Sequence, residues 1–292
     1  MKSKIFLSLI LLYSTLYADE TKKKVVAFYT KNIEKVSDTD VRIAIEQILQ
    51  RGSKESGLFL VETFPKKMET LLKGFQSNKY ALMTLNTYDC MKHYEQIRPY
   101  IGKVWTITKS KEHPKERYLL LVREGTQLTD LVDKDVAYVR YSKMQKVYLE
   151  YITLEAMHMS GDMYYKHILH FATGSKAILQ LFFKQVDAVV VSEHTYKTAL
   201  ELNPQLAESL RVLKRSDAMF PSVGVTISHK GEKEIEELYK RFGENREDIE
   251  TLSNILMLYK AEAIVPFALE DLEKVYDFFQ NYSHLKQEYG GL

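Results

Sequence analysis

Apolar residues fall in two alternating rhythms along the chain. Short runs of strand length, Val25 to Tyr29, Leu58 to Phe64 and Tyr80 to Leu85, are separated by stretches whose apolar positions recur on one face of a helix. Between the first two runs, Val41, Ile45, Ile48 and Leu49 mark such a face. Asp38 or Asp40 stands as its cap, and Gly52 and Gly57 close it. Between the second and third, Pro65 opens a helix carrying Met68, Leu71, Leu72 and Phe75. Strand and helix in alternation predict parallel βαβ units and an α/β sheet.

A second block repeats the rhythm. Arg117 to Arg123 and Val136 to Arg140 read as strands, while Met144, Val147, Tyr148, Tyr151 and Ile152 form the stripe of a helix, and Ile178, Leu181 and Phe182 lie on another. The run Val186-Asp187-Ala188-Val189-Val190-Val191 is apolar on both faces and is expected at the centre of a sheet. Past Met219-Phe220-Pro221 comes a strand, Val223 to Ile227. Three helical stripes follow: Ile235, Leu238, Tyr239 and Phe242; Leu252, Ile255, Leu256 and Tyr259; Leu269, Leu272, Val275, Tyr276 and Phe279. No low-complexity linker separates the blocks, which suits two lobes joined by crossing strands rather than independent domains. The crossings are expected near residues 105–117 and 214–222.

The N-terminus follows a different rule. Lys2 and Lys4 precede the apolar run Ile5 to Leu12 and the polar-flecked Tyr13 to Ala18, the order of a cleavable signal peptide over residues 1–18. The run is shorter than the ~20 residues a membrane-crossing helix needs. Cleavage after Ala18 exposes Asp19, not the cysteine a lipoprotein requires, so a periplasmic chain without a membrane anchor is expected. Removal of the segment takes two lysines from the 41 Lys and Arg and leaves them balanced against 39 Asp and Glu. A neutral chain carries no electrostatic footprint for nucleic acid or an anionic membrane. The single cysteine, Cys90, allows no intrachain disulfide.

The order of pieces resembles the phosphate/phosphonate-type solute-binding proteins of ABC transporters. Leu128-Thr129-Asp130-Leu131 with Lys134-Asp135-Val136-Ala137-Tyr138 is similar to one motif of that family. Phe171-Ala172-Thr173-Gly174-Ser175-Lys176-Ala177-Ile178 is similar to another, and Val186-Asp187-Ala188 to its "v-D-A" strand. Leu71 to Leu85 matches loosely a first-lobe motif, and Leu210 to Val225 the segment returning to the first lobe. The sequence departs from the family at three places. The turn that phosphonate binders fill with Ser and Thr reads Arg140-Tyr141-Ser142-Lys143, the glycine before "v-D-A" is Lys184, and the first-lobe aspartate is Ala81.

The resemblance implies a two-lobed type II periplasmic-binding fold, α/β, with a mainly parallel sheet flanked by helices in each lobe and a cleft between lobes. Residues 19–108 and 221–292 would form one lobe and 109–220 the other. It implies capture of an oxyanion or polar metabolite by lobe closure, for an ABC permease or, alternatively, for a membrane-bound sensor. No cofactor is implied, and a monomer is expected. An exported enzyme on the same fold is the remaining alternative, but no nucleophile elbow, Walker loop, zincin or dinucleotide fingerprint occurs.

Ligands of open α/β sheets gather outside the carboxyl ends of strands. That rule selects Tyr29 with Thr30, Thr84, Asn86 and Tyr88 in the first block, and Arg140, Tyr141, Ser142, Lys143, Ser175 and Glu193 in the second. Ser142 stands where a strand gives way to a helix and reads either as an ordinary cap or, with its helix amides, as an anion contact. The stretch Thr173-Gly174-Ser175 carries the same two readings, with the cap favoured. Asn86 or Ser192 can equally bond its own backbone in a turn. Met157-His158-Met159 with Met163, His167 and His170 has soft-metal donors at a spacing that matches no closed site. Cys90 with His93 has the elements of a thiolate pair, but a lone cysteine is more often an apolar filler.

Overall fold

The computed structural model describes residues 23–29, 38–56, 58–237, 256–257 and 261–290. The signal-peptide expectation, Thr30, and the tail stripes from Leu238 to Tyr259, Leu256 apart, lie outside the described residues.

The chain opens with β1 (Lys23–Phe28), α1 (Asp38–Ser56), β2 (Phe59–Thr63), α2 (Met68–Gln76), β3 (Leu82–Leu85) and α3 (Thr87–Lys92). Next come β4 (Ile101–Thr108), the two-residue β5 (Lys115–Glu116), β6 (Tyr118–Arg123), β7 (Asp135–Val139), α4 (Lys143–Met157), β8 (His167–Phe171), α5 (Gly174–Phe182), β9 (Ala188–Ser192) and α6 (Glu193–Leu202). β10 (Leu210–Arg215), β11 (Phe220–Pro221), β12 (Val225–His229), β13 (Ala263–Pro266) and α7 (Leu269–Tyr289) follow, with short helical turns between. Contacts group the chain into two compact units. The first holds the residues up to Asn86, Glu95–Ile107 and Gly224–Pro266; the second holds Thr87–Tyr94, Thr108–Val223 and Phe267–Leu292.

In the first unit six strands run in the order β13-β4-β12-β3-β1-β2. β1 is parallel to both β2 and β3, with Val26 opposite Glu62 on one side and Leu82 on the other. These are the parallel units that alternation predicted. β12 is antiparallel to β3 and β4, so the sheet is mixed. Helix α1 turns Ile45 and Leu49 onto Val26, Leu58, Leu60 and Leu82, and Ile235 closes the same cluster. Each such aliphatic side chain contributes about 1.5–3 kcal/mol by leaving water. Gly224 immediately precedes β12, where a Cβ would stand 2.8 Å from the Leu85 carbonyl oxygen, so a side chain there would force this strand entrance away from β3.

In the second unit the order is β10-β6-β9-β7-β8. β7 is parallel to β8 and β9, while β6 is antiparallel to β9 and β10. The all-apolar run behaves as its composition demands: every residue of β9 is buried, at the middle of the sheet. Helix α5 follows Thr173, whose hydroxyl accepts from the Lys176 N–H at 3.2 Å, and lays Ala177, Ile178 and Leu181 on Leu119, Ala137 and Val189. Helix α4 buries Met144, Val147, Tyr148 and Ile152 and ends on His158, a left-handed residue whose N–H returns to the Leu154 carbonyl.

Helix α7 belongs to this second unit, whereas the sequence grouped residues 221–292 with the first block. Aromatic side chains account for its place. Tyr276 packs on Tyr94 at 4.6 Å between ring centroids, Phe279 on Tyr88 at 5.7 Å, and Phe278 on Tyr151 at 4.9 Å and on Phe220 at 5.3 Å. Lys115 to Asp271 at 2.6 Å and Lys286 to Glu150 at 2.8 Å pin the two ends of the helix. Among the described residues no helix is long and apolar enough to cross a membrane.

Candidate functional site

Strand direction decides which side chains share an edge. In the second unit the parallel strands β7, β8 and β9 end together, delivering Arg140 to Lys143, Ala172 to Ser175, and Glu193 to one edge. The antiparallel strands add the start of β6, where Tyr118 faces Ser192, and the end of β10, where Arg215 faces Leu119. The Arg140 N–H donates to the Phe171 carbonyl at 2.9 Å and ties the ends of β7 and β8 together. Arg140 is exposed, and its guanidinium makes no ion pair with any described residue.

Ser142 precedes α4, and its side chain does not cap the helix. Its hydroxyl lies near the Tyr118 phenol and eases the upward push that burial gives that phenol. The Ser142 carbonyl takes the N–H groups of Gln145 and Lys146, while those of Lys143 and Met144 have no backbone acceptor among the described residues. The ordinary cap reading of Ser142 therefore does not hold. Tyr141 is half-buried beside it.

Lys143 points to a neighbour that sequence reasoning missed. Its Nζ lies 3.2 Å from Asp89 Oδ1 and 5.0 Å from the centroid of the Tyr88 ring, both on the short helix α3. Tyr88 and Lys143, two sequence candidates, are thus brought together around an unexpected buried carboxylate. Nothing in local spacing could reveal it, because the partners are 54 residues apart.

Glu193, first residue of α6, is ringed by cations: Arg215 at 3.5 Å, Lys197 at 3.8 Å and Arg117 at 3.9 Å. Its N–H donates to the Arg117 carbonyl. Its carboxylate serves these partners, in solvated pairs each worth little. Ser192 is the true cap here, accepting from the Thr195 N–H at 3.3 Å. Ser175 is exposed within α5, one position past Gly174, and Thr173 does the capping.

In the first unit Tyr29, Thr84 and Asn86 lie at the corresponding carboxyl edge. The Tyr29 N–H donates to the Thr84 carbonyl at 2.9 Å, and the Thr84 hydroxyl pairs with that of Thr226 at 3.0 Å. Thr106 Oγ1 donates to the Gly224 carbonyl at 2.8 Å on the adjoining strands.

The pair Cys90 and His93 resolves into packing. Cys90 is fully buried, and burial drives its thiol far up from its ordinary value, away from thiolate chemistry. His93 is pushed the other way, by burial first and then by Lys92. His158 packs edge-on to Tyr289, His167 bonds Asp135 at 2.7 Å, and His170 meets Tyr138 edge-on. No group of three His, Cys, Asp or Glu side chains among the described residues is placed to hold a metal ion.

Residues 37–268 match the family of periplasmic substrate-binding proteins of phosphonate ABC transporters, and the chain belongs to that family. Three solved structures share its fold. XAC2383 from Xanthomonas citri, bound to ATP, is 10% identical with a TM-score of 0.61, over 91% of this chain and 99% of that one. A binding-protein component of a phosphonate ABC transporter from Pseudomonas aeruginosa is 13% identical with a TM-score of 0.56, over 90% and 87%. PhnD1 from Prochlorococcus marinus, in complex with methylphosphonate, is 11% identical with a TM-score of 0.56, over 90% and 98%. No curated protein matches the chain in sequence. The fold is the type II periplasmic-binding kind, with mixed sheets flanked by helices, and the role is solute binding for an ABC transporter. The family consists of substrate-binding proteins rather than enzymes.

Proposed function

We propose that this binding protein captures a small oxyanion in the periplasm, without turnover, and presents it to its membrane permease. The edge formed by Arg140, Tyr141, Ser142 and Lys143 contacts the anion. The observation that carries this reading is the state of the β7–α4 turn. Arg140 is an exposed guanidinium with no acidic partner among the described residues, and the Ser142 side chain leaves the α4 first-turn amides uncapped. A guanidinium fork and outward N–H groups are the donors a tetrahedral oxyanion needs. Tyr88, beside Lys143, is a further candidate contact on the second unit, and Tyr29, Thr84 and Asn86 are the candidates on the first unit. Ser175 and Glu193 sit at the rim, Glu193 balancing the basic side chains around it.

The pattern from Lys2 to Ala18 supports export by a cleavable signal peptide, with Asp19 as the first residue after the cut. The test is calorimetric titration of the chain from Asp19 onward with phosphate, methylphosphonate, sulfate and methanesulfonate. At least one should bind with one-to-one stoichiometry, and Arg140→Ala should weaken it about tenfold or more, the loss expected of a charge-assisted contact. Absence of binding by all four, or an Arg140→Ala protein that binds as tightly as the original, would refute the reading.

A further inference from the structure

Lys143 occupies a position that disfavours it. As the first residue of a 15-residue helix its ammonium lies at the positive end of the macrodipole, where a cation is repelled. Asp89 offsets this repulsion at 3.2 Å, and the face of Tyr88 adds its negative π surface. The two charges differ in hydration. The Asp89 side chain is 12% exposed and that of Lys143 40%, so the field of the carboxylate is the less screened of the two. An anion that engages Lys143 must therefore share it with a fixed, poorly hydrated carboxylate.

We propose that Asp89 is a specificity-determining residue which, through its grip on Lys143, favours singly charged oxyanions over doubly charged ones of the same shape. The inference rests on the reading that Arg140 to Lys143 contact the anion. A singly charged group takes the open guanidinium of Arg140 and the α4 amides and leaves the Asp89–Lys143 pair intact. A second negative charge has no unshared cation at Lys143 and meets the Asp89 field instead. Asp89 acts through Lys143 and is a positioning residue; a purely structural role would alter the affinity of all anions alike.

Methanesulfonate and methylphosphonate provide the probe, because they share a shape and differ by one charge at about pH 9, well above the second ionisation of the phosphonate. Titration of the chain from Asp19 onward should show tighter binding of methanesulfonate. Asp89→Asn, which keeps an oxygen to accept from Lys143, should shrink that preference about tenfold, the effect of removing one nearby charge at an effective dielectric of roughly 20. Lys143→Gln removes the cation paired with Asp89 and should widen the preference several-fold, so the proposal remains testable if the first variant folds poorly. A ratio of affinities within twofold of the original in either folded variant overturns the proposal. If the unaltered protein binds neither probe, the anion reading itself fails and this one falls with it.

Discussion

The phenol ring of Tyr118 stacks on the ring of Phe220, with centroids 4.3 Å apart and planes 19° from parallel. Phe220 is fully buried, and its other side meets Phe278 of α7 edge-on at 5.3 Å. One ring thus joins the start of β6, next to the candidate edge, to the C-terminal helix. Phe220→Ala empties a site lined by aromatic rings that cannot collapse into it. The expected loss is about 3–5 kcal/mol, read as a lower urea midpoint at unchanged slope.

The aspartate of the "v-D-A" motif has a structural task. Arg123 donates through Nη2 to Asp187 Oδ1 at 2.6 Å and through Nη1 to the Val186 carbonyl at 2.7 Å, while the Asp135 N–H donates to Asp187 Oδ2 at 3.2 Å. These bonds fasten the entrances of β7 and β9 to the end of β6, at the opposite end of the sheet from the candidate edge. Asp187→Ala should cost about 2 kcal/mol, the range for hydrogen bonds to charged groups. Anion affinity measured by calorimetry should stay as it was; a selective loss of binding with intact stability would reassign the residue.

Stability should also carry a pH signature from Glu116. Its side chain is buried in the β5–β11 ribbon, where burial raises its pKa above the ordinary 4.5, against partial relief from Lys109, the hydrogen bond donated by Ser222 at 2.8 Å, and His194. The folded protein therefore holds this proton more tightly than the unfolded chain. The linked stability is complete below pH 4.5 and is lost as pH rises toward the folded pKa. Glu116→Gln keeps a partner for Ser222 and removes that loss, so melting temperatures of the two proteins should diverge upward for the variant as pH climbs from about 4 to 8. Parallel curves would show that Glu116 binds its proton equally tightly in the folded and unfolded states.

What could be read from the sequence was what a local pattern can encode. The Val189-Val190-Val191 run announced a central strand because only a strand buried on both faces lacks polar alternation. The end of β7 was recognisable as a candidate edge because strand and helix periodicities change over at Ser142. Strand direction was not legible: β6 is an apolar run like β9 and β12 alternates apolar with polar residues, and neither pattern carries an arrow. The packing of α7 on Tyr88, Tyr94 and Phe220 escaped for a related reason, since a helical stripe states that it is buried but not against what. Asp89 was invisible as a partner of Lys143, because long-range ion pairs leave no mark in spacing.

A family departure that the sequence did expose gives the last prediction. Where relatives carry glycine before the "v-D-A" strand, this chain has Lys184, and its φ is 61°. The turn explains the glycine: α5 ends with the Lys184 N–H on the Leu181 carbonyl at 3.1 Å and the Gln185 N–H on the Gln180 carbonyl at 2.8 Å, a geometry that places the residue in the left-handed region. A residue with a Cβ sits there at a cost of about 1–2 kcal/mol, part of which is offset because lysine leaves the unfolded chain less flexible than glycine would. The Lys184 side chain is exposed and takes no part in the core. Lys184→Gly should therefore raise stability by roughly 0.5–1 kcal/mol, a gain of about 1–4 °C in melting temperature for a chain of this size. Lys184→Ala keeps the Cβ and should give no such gain. If the alanine variant stabilises as much as the glycine one, backbone strain at this turn is not the cause.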